Sequence, residues 1–236
     1  MGSTTPREVV KFGGFGPRAI EFFQGLEEDN SKAYFEVHRG IWEAQVKRPL
    51  EVLLGELAEE LGGRPKLFRQ NRDVRFAKDK SPYKITTYGV LLDRPGSAAG
   101  LYAELSSQGL YAGGGYYDMA PDQLPRFRAA VAAAPAGDNL AKVVAGLGRR
   151  QLTVAGAALA GMPRGYAKDH PRAVLLKHTT LVAGALLPAD DPRLTKRAAL
   201  KFVARTWAHL EPLSRWLDQH VGPSTIPPEV RWGRGR

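Results

Sequence analysis

The spacing of apolar residues changes twice along the chain, and this change constrains the fold more than any other feature. Up to about residue 62, apolar side chains recur every three or four residues, as on one face of an α-helix. From about residue 72 to residue 117, they alternate with polar residues or form short runs rich in Tyr, Thr, Leu and Val, as in β-strands. Helical spacing returns after Pro121. Helices on both sides of a run of strands predict an α+β protein.

The strand-rich region is predicted to form an antiparallel meander of about residues 83–117. Short turn sequences separate its segments, and such short connections can join only antiparallel neighbours. A strand is also predicted at 72–76, where Val74 and Phe76 alternate with charged residues, and another near 179–187. Helices from both ends of the chain are expected to pack against this sheet.

Two prolines mark boundaries of the predicted helices. Pro49 lies inside the second helix and is expected to end or kink it, because proline lacks the N–H that a helix interior needs. A long C-terminal helix is predicted to begin at Asp191-Pro192, which combine a capping side chain with a first-turn proline.

The composition predicts one cytoplasmic domain. The chain has 236 residues and no cysteine, which excludes disulfides and zinc–thiolate sites. No apolar run reaches the ~18 residues that a membrane span needs, and the first residues lack the apolar core of a signal peptide. Residues 1–221 are therefore expected to form a single domain, followed by a loose basic tail of Pro, Gly and Arg at 222–236. The net charge of +10 attracts polyanions without specifying which.

The densest cluster of charges is the stretch 69–83, RQNRDVRFAKDKSPY. If residues 72–76 are extended, Arg72 shares a face with the apolar Val74 and Phe76. An unpaired charge there would be unfavourable, so Arg72 needs a buried acidic partner or an anionic ligand. Guanidinium groups bind phosphate or carboxylate through two parallel hydrogen bonds. The alternative is that the charges pair with one another and lock the edge of the sheet.

The stretch 69–83 resembles the signature of an uncharacterised, mainly bacterial family, the domain of unknown function 2461 family. The resemblance extends along most of the chain. It includes Phe15 through Phe35, where Tyr34-Phe35 stands in place of the family's typical Trp-Phe, and Pro163 through Pro171. The resemblance implies membership but no reaction, because it brings no established substrate, cofactor or catalytic residue.

The segment Pro163 through Pro171, PRGYAKDHP, is a second candidate site. Arg164 could bind an anion, and His170 could transfer protons because its reference pKa lies near neutrality. The alternative is a helix start, with Asp169 as the cap. Because both charged segments are part of the resemblance, His170 is predicted to lie close to the stretch 69–83. The histidines show no metal-ligand spacing, so no metal site is predicted.

The leading hypothesis is a pocket that binds an anionic, phosphorylated small molecule. The sequence leaves open whether that pocket is catalytic and whether it uses a cofactor. The carboxylates would orient the arginines or act as a base, and the tyrosine and histidine would donate or relay protons. The candidate binding residues are Arg69, Arg72, Arg75, Lys80 and Arg164, and the candidate catalytic residues are Asp73, Asp79, Tyr83 and His170.

Two other hypotheses use the same charged residues. In one, the protein is a nucleic-acid-binding module in which Tyr111, Tyr116 and Tyr117 stack on bases. In the other, it is a scaffold without a ligand, held by an internal network of ion pairs. Residues 113–115 are three glycines, which allow either a close backbone approach to a ligand phosphate or a bulge at a strand end.

Overall fold

The structure is a computed structural model that describes residues 10–227. Its elements run from helices to strands and back to helices, which confirms the α+β prediction. The helices are α1 (Ala19–Glu28), α2 (Lys32–Trp42), α3 (Arg48–Leu61), α4 (Gln123–Ala132), α5 (Ala134–Arg149), α6 (Ala173–Leu176) and α7 (Ala198–His220). The strands are β1 (Arg64–Leu67), β2 (Thr86–Leu92), β3 (Gly100–Ser106), β4 (Gly109–Tyr116), β5 (Thr153–Ala155) and β6 (Leu181–Pro188).

The six strands form one antiparallel sheet in the order β1-β2-β3-β4-β6-β5. Strands β2, β3 and β4 are the predicted meander, and β6 is the strand predicted near 179–187. The edge strands β1 and β5 were not predicted. They have four and three residues, which is too short for an alternating pattern to be recognised.

Helices cover one face of the sheet. The Leu54 side chain of α3 occupies the space that a side chain at Gly89 of β2 would need. The Leu210 side chain of α7 packs against Gly114 of β4 in the same way. Along β2 and β3, buried residues alternate strictly with partly exposed ones. The buried set faces the helices, so the partly exposed set belongs to the opposite face.

The strand predicted at 72–76 was wrong. These residues lie in the connection from β1 to β2, and the Phe76 side chain is 97% exposed. The connection closes on itself, with Arg72 N–H donating to the Pro82 carbonyl at 2.8 Å. The alternation of Val74 with charged residues therefore reflects an exposed loop. Arg72 does not lie on an apolar face.

The two proline-marked boundaries have different outcomes: a new α-helix does begin at Arg48-Pro49, and none begins at Asp191-Pro192. Helix α2 continues through a π-helical turn, Glu43–Lys47, directly into α3, whose first turn contains Pro49. The wider turn accommodates a residue that has no N–H to donate. Helix α7 begins at Ala198 and not at Asp191. The Asp191 carboxylate instead accepts the Arg193 N–H at 2.9 Å, which stabilises a turn before the helix.

The described part of the predicted tail, residues 222–227, runs along α4. The Asp122 carboxylate accepts from Ser224 Oγ at 2.7 Å and from the Thr225 N–H at 2.9 Å. Gln123 Nε2 donates to the Gly222 carbonyl at 2.7 Å. Residues 228–236 lie outside the described part of the chain. None of the helices in residues 10–227 combines the length and the hydropathy of a membrane-spanning segment.

Candidate functional site

The connection between β1 and β2, residues 68–85, contains the charged stretch 69–83 and is called the basic loop here. It has six Lys or Arg residues and two Asp residues. Backbone hydrogen bonds close its base: Lys84 N–H donates to the Gln70 carbonyl at 2.9 Å, and Phe68 N–H donates to the Tyr88 carbonyl at 3.1 Å. The loop therefore leaves the sheet as a hairpin-like projection with a fixed base.

A buried glutamine anchors the base of the loop. The Gln70 side chain is 2% exposed, and its Nε2 donates to the carbonyls of Lys84 and Thr86. Its Oε1 accepts from Thr87 Oγ1 at 2.7 Å, and Thr87 in turn accepts from Trp42 Nε1 at 2.9 Å. This chain of hydrogen bonds ties the loop to the sheet and to α2.

Tyr83 is a second anchor. Its ring is buried and stacks on Phe35 of α2, with 4.1 Å between ring centroids. The Asn30 side chain accepts from Tyr83 N–H at 3.0 Å and donates to the Tyr83 carbonyl at 3.1 Å. A residue held from both its ring and its backbone stabilises the loop base, and this position does not present it to a ligand.

Two charged residues, Arg72 and Asp79, stabilise the loop from inside. The Arg72 guanidinium pairs with Asp79 and donates to the Ser81 carbonyl at 3.2 Å. The Ser81 hydroxyl and N–H donate to Asp79 at 2.6 and 2.9 Å. These hydrogen bonds, with the one from Arg72, hold the pKa of Asp79 well below its usual value. A carboxyl with so low a pKa is a weak base, which makes a general-base role for Asp79 unfavourable.

The tip of the loop presents cations to solvent. Arg75 pairs with Asp73 at 2.7 Å, but its side chain is still 69% exposed. The hydrogen bonds from Arg75 lower the pKa of Asp73 to about 2, so that carboxylate is charged at neutral pH. Lys80 Nζ donates to the Val74 carbonyl at 3.0 Å. Phe76 lies among these charges as an exposed aromatic ring.

The face of the sheet opposite the helices carries a row of aromatic rings, called the aromatic face here. The ring centroids of Phe68 and Tyr88 are 4.8 Å apart, those of Tyr88 and Tyr102 are 5.5 Å apart, and those of Tyr102 and Tyr111 are 6.2 Å apart. Lys84 Nζ lies 5.1 Å from the centroid of one ring, so the row meets the base of the basic loop. Burial raises the pKa values of the three tyrosines, which keeps their hydroxyls protonated. The row consists of Phe68, Tyr88, Tyr102 and Tyr111.

Glycines explain the position of the last ring in the row. A Cβ atom at Gly113 would lie 2.7 Å from Tyr111 Cε1. A Cβ atom at Gly184, the partner of Gly113 on β6, would lie 2.5 Å from Cζ of the same ring. The Tyr111 ring therefore lies across two residues without side chains. Gly114 faces the other way, against Leu210. Packing thus accounts for the first two of the three consecutive glycines.

The sheet does not bring the two charged segments together. The basic loop leads into Thr86, the first residue of β2. This is the end of the sheet at which β6 finishes with Pro188. Residues 156–180, which include Arg164 and His170, connect β5 to β6 at the opposite edge and the opposite end. His170 Nδ1 accepts from Arg172 N–H at 3.0 Å just before α6, so His170 lies at a helix start. The predicted cap, Asp169, was wrong, because the N-cap is Arg172 and no side chain caps this helix.

The three tyrosines predicted to stack on bases differ in position. Tyr111 lies on the aromatic face, and Tyr117 is 83% exposed. Tyr116 is buried, and its hydroxyl donates to Asp218 at 2.9 Å, so it cannot stack on a base.

Sequence reasoning missed three rings of the aromatic face, Phe68, Tyr88 and Tyr102. A signal was available, because Tyr88 and Tyr102 alternate with residues that are buried in β2 and β3. That alternation places both tyrosines on the face opposite the core.

Two cavities lie away from the basic loop. One, of about 320 Å³, lies between the start of α1 and residues 189–195. The other, of about 490 Å³, lies between α5 and α7. Neither is lined by a residue of the basic loop. Within residues 10–227, His, Asp and Glu side chains form no group of three that could hold a metal ion.

These features define an α+β protein whose antiparallel sheet is covered by helices on one face and carries aromatic rings, continuous with a basic loop, on the other. The chain belongs to the family described as conserved hypothetical protein (DUF2461), whose model matches residues 18–216. The match confirms the resemblance noted in the sequence. A search of curated proteins finds no match. The family description names no activity.

Proposed function

We propose that the protein binds single-stranded nucleic acid across the aromatic face, with the basic loop holding the phosphate backbone. The main support for this proposal is that a row of four aromatic rings ends at a loop with six cations. Single strands are bound by grooves that combine aromatic stacking with positive charge. An open sheet with accessible aromatic residues is also a known way to bind unpaired bases.

The charge of the loop supports this proposal despite its internal ion pairs. Asp79 and Asp73 each pair with one arginine, which leaves four of the six cations in excess. Arg69, Lys78 and Lys80 are exposed. Their spread over a projecting loop suits an extended chain of phosphates, because each cation can meet a different phosphate.

A pocket for a phosphorylated small molecule was the leading hypothesis from the sequence. The exposure of the cations in the basic loop favours an extended ligand over an enclosed one. Tight binding of a mononucleotide or inorganic phosphate, with no gain from a longer strand, would favour the small molecule instead.

The test is a binding titration with fluorescently labelled RNA and DNA strands of about 12 nucleotides, with matching duplexes, from about 50 to 200 mM salt. We expect single strands to bind more tightly than duplexes. The double variant Arg75→Gln with Lys80→Gln should lower the slope of log affinity against log salt by about 1.4, which corresponds to two phosphate contacts.

The matched control replaces two exposed cations of α5, Lys142→Gln with Arg149→Gln. It removes the same charge from another surface and should leave the slope unchanged. An equal decrease of this slope in the two double variants would mean that binding depends only on the net charge of the protein. Absence of binding to any single strand at low salt would refute the proposal.

A glycine pair tests the aromatic face separately. Gly113→Ala should push the Tyr111 ring from its place, because the new Cβ would lie 2.7 Å from Cε1. We expect affinity for single strands to fall on the order of tenfold, as for the loss of one stacked base. Gly100→Ala is the control on the same face, since its Cβ would meet only Leu92 Cδ2, at 3.6 Å. Equal affinities of the two variants would exclude Tyr111 from the interface.

A further inference from the structure

We infer that Glu104 makes the aromatic face prefer bases that carry an exocyclic amino group over uracil and thymine. This inference rests on the proposed function and names the ligands it favours. Glu104 lies in β3 on the same face as the aromatic rings. In the sheet register it is opposite Tyr88 of β2 on one side and Tyr111 of β4 on the other. A base stacked on either ring would have its edge near this carboxylate.

The carboxylate is held in place by a neighbouring tyrosine. The Tyr102 hydroxyl donates to Glu104 Oε2, and Tyr102 is two residues away on the same strand. Burial and this hydrogen bond raise the pKa of Tyr102, so the hydroxyl keeps its proton and continues to donate. In the part of the chain that the structure describes, hydrogen bonds to Glu104 use Oε2 alone. Oε1 is then the acceptor that can meet a ligand.

An ionised carboxylate accepts hydrogen bonds and cannot donate them. It therefore suits the N4 amino group of cytosine, and it is repelled by the O4 carbonyl that uracil has at the same position. Unpaired bases leave this edge free for contact. Adenine and guanine also carry amino groups. Cytosine and uracil share one ring but differ at C4 and at N3, which accepts in cytosine and carries an N–H in uracil, so the amino group itself has to be modified to isolate its effect.

The experiment compares oligocytidine with oligouridine of equal length on the wild-type protein and on Glu104→Gln. We expect the wild-type protein to bind oligocytidine about five- to tenfold more tightly. Glu104→Gln still offers an oxygen to Tyr102 but adds an N–H₂ donor, so the ratio of the two affinities should fall to about one or reverse. Glu59→Gln, an exposed position in α3, is the control and should keep the wild-type ratio.

A modified strand makes the test independent of any variant. Oligocytidine with a dimethylated N4 amino group retains the ring but has no N–H to donate, and it should bind the wild-type protein as weakly as oligouridine. Equal wild-type affinities for cytidine and uridine, or equal losses for both in Glu104→Gln, would overturn the inference and assign Glu104 to the support of Tyr102. Failure of every strand to bind would instead refute the proposed function.

Discussion

Two long connections of the sheet each contain a cluster of charged residues but hold their arginines in different surroundings. The basic loop, residues 68–85, joins edge strand β1 to β2, and residues 156–180, called the distal segment here, join edge strand β5 to β6. Each contains a cluster of charged residues, within 69–83 and within 163–172, and at least one proline. In the distal segment, the Arg172 side chain is 11% exposed and donates to the carbonyls of Val131 and Ala132 at 2.6 and 2.7 Å. In the basic loop, Arg75 is 69% exposed.

The difference shows what charge density in a sequence can and cannot indicate. An arginine that satisfies carbonyls at the end of a helix stabilises the fold, because those carbonyls have no partner within the helix. An arginine on an exposed loop tip contributes little to stability and is available to a ligand. The two cases differ in the partner that the fold provides, and local sequence does not specify that partner.

The largest expected effect tests this contrast directly. Arg172→Gln should destabilise the protein by about 2–3 kcal/mol, because the carbonyls of Val131 and Ala132 lose a charged donor. Arg75→Gln should leave the melting temperature unchanged, since its pair with Asp73 is exposed. Thermal and denaturant unfolding of the two variants measures both effects. A large loss of stability in Arg75→Gln would support the scaffold hypothesis for the basic loop.

The next effect concerns the anchor of the basic loop. Gln70→Leu should lower the free energy of unfolding by about 2 kcal/mol, because two carbonyls and the Thr87 hydroxyl lose their partner in a buried place. The exposed Gln24→Leu in α1 is the control and should be close to neutral. Denaturant unfolding measures both. A neutral Gln70→Leu would mean that the loop base does not depend on this residue.

These anchors also show how far sequence could predict the molecule. Long periodic segments predicted the meander, β6 and most helices, because their spacing records which face is buried. The strand at 72–76 was wrong because alternation in an exposed loop imitates a strand. The grouping of His170 with the basic loop failed because composition does not reveal the order of strands. The aromatic face was missed since its rings meet only through the register of four separate segments.

A smaller effect is expected at the loop tip. Phe76→Ala should leave stability unchanged, because the side chain is 97% exposed. Affinity for single strands should fall about fivefold if this ring stacks on a base. Val37→Ala, at a position 78% exposed on α2, is the control and should change neither quantity. Unchanged binding by Phe76→Ala would confine stacking to the sheet.

The smallest effect concerns the titration of one carboxyl group, and the chain contains its own control. Asp73 and Asp191 each pair with the arginine two residues later, and in both cases the arginine N–H and guanidinium donate to the carboxylate. Both pKa values are lowered to about 2. Because the pKa is lowered in the folded state, each pair favours folding above about pH 4, and this contribution is lost as the pH falls through about 2. For Asp73 the contribution to stability is close to zero, because both side chains of its pair are exposed.

Arg75→Gln should therefore raise the pKa of Asp73 toward its ordinary value of 3.8 and leave Asp191 at about 2. The measurement is an NMR titration of the carboxyl carbons, with Asp191 and its Arg193 as the untouched pair in the same sample. A rise at Asp73 alone would show that the exposed guanidinium of Arg75 is its main partner. If the pKa of Asp73 stays near 2 in the variant, the hydrogen bond from the backbone N–H of residue 75 is the one that keeps it low. In that case the Arg75 side chain is only loosely paired and freer still to meet a phosphate.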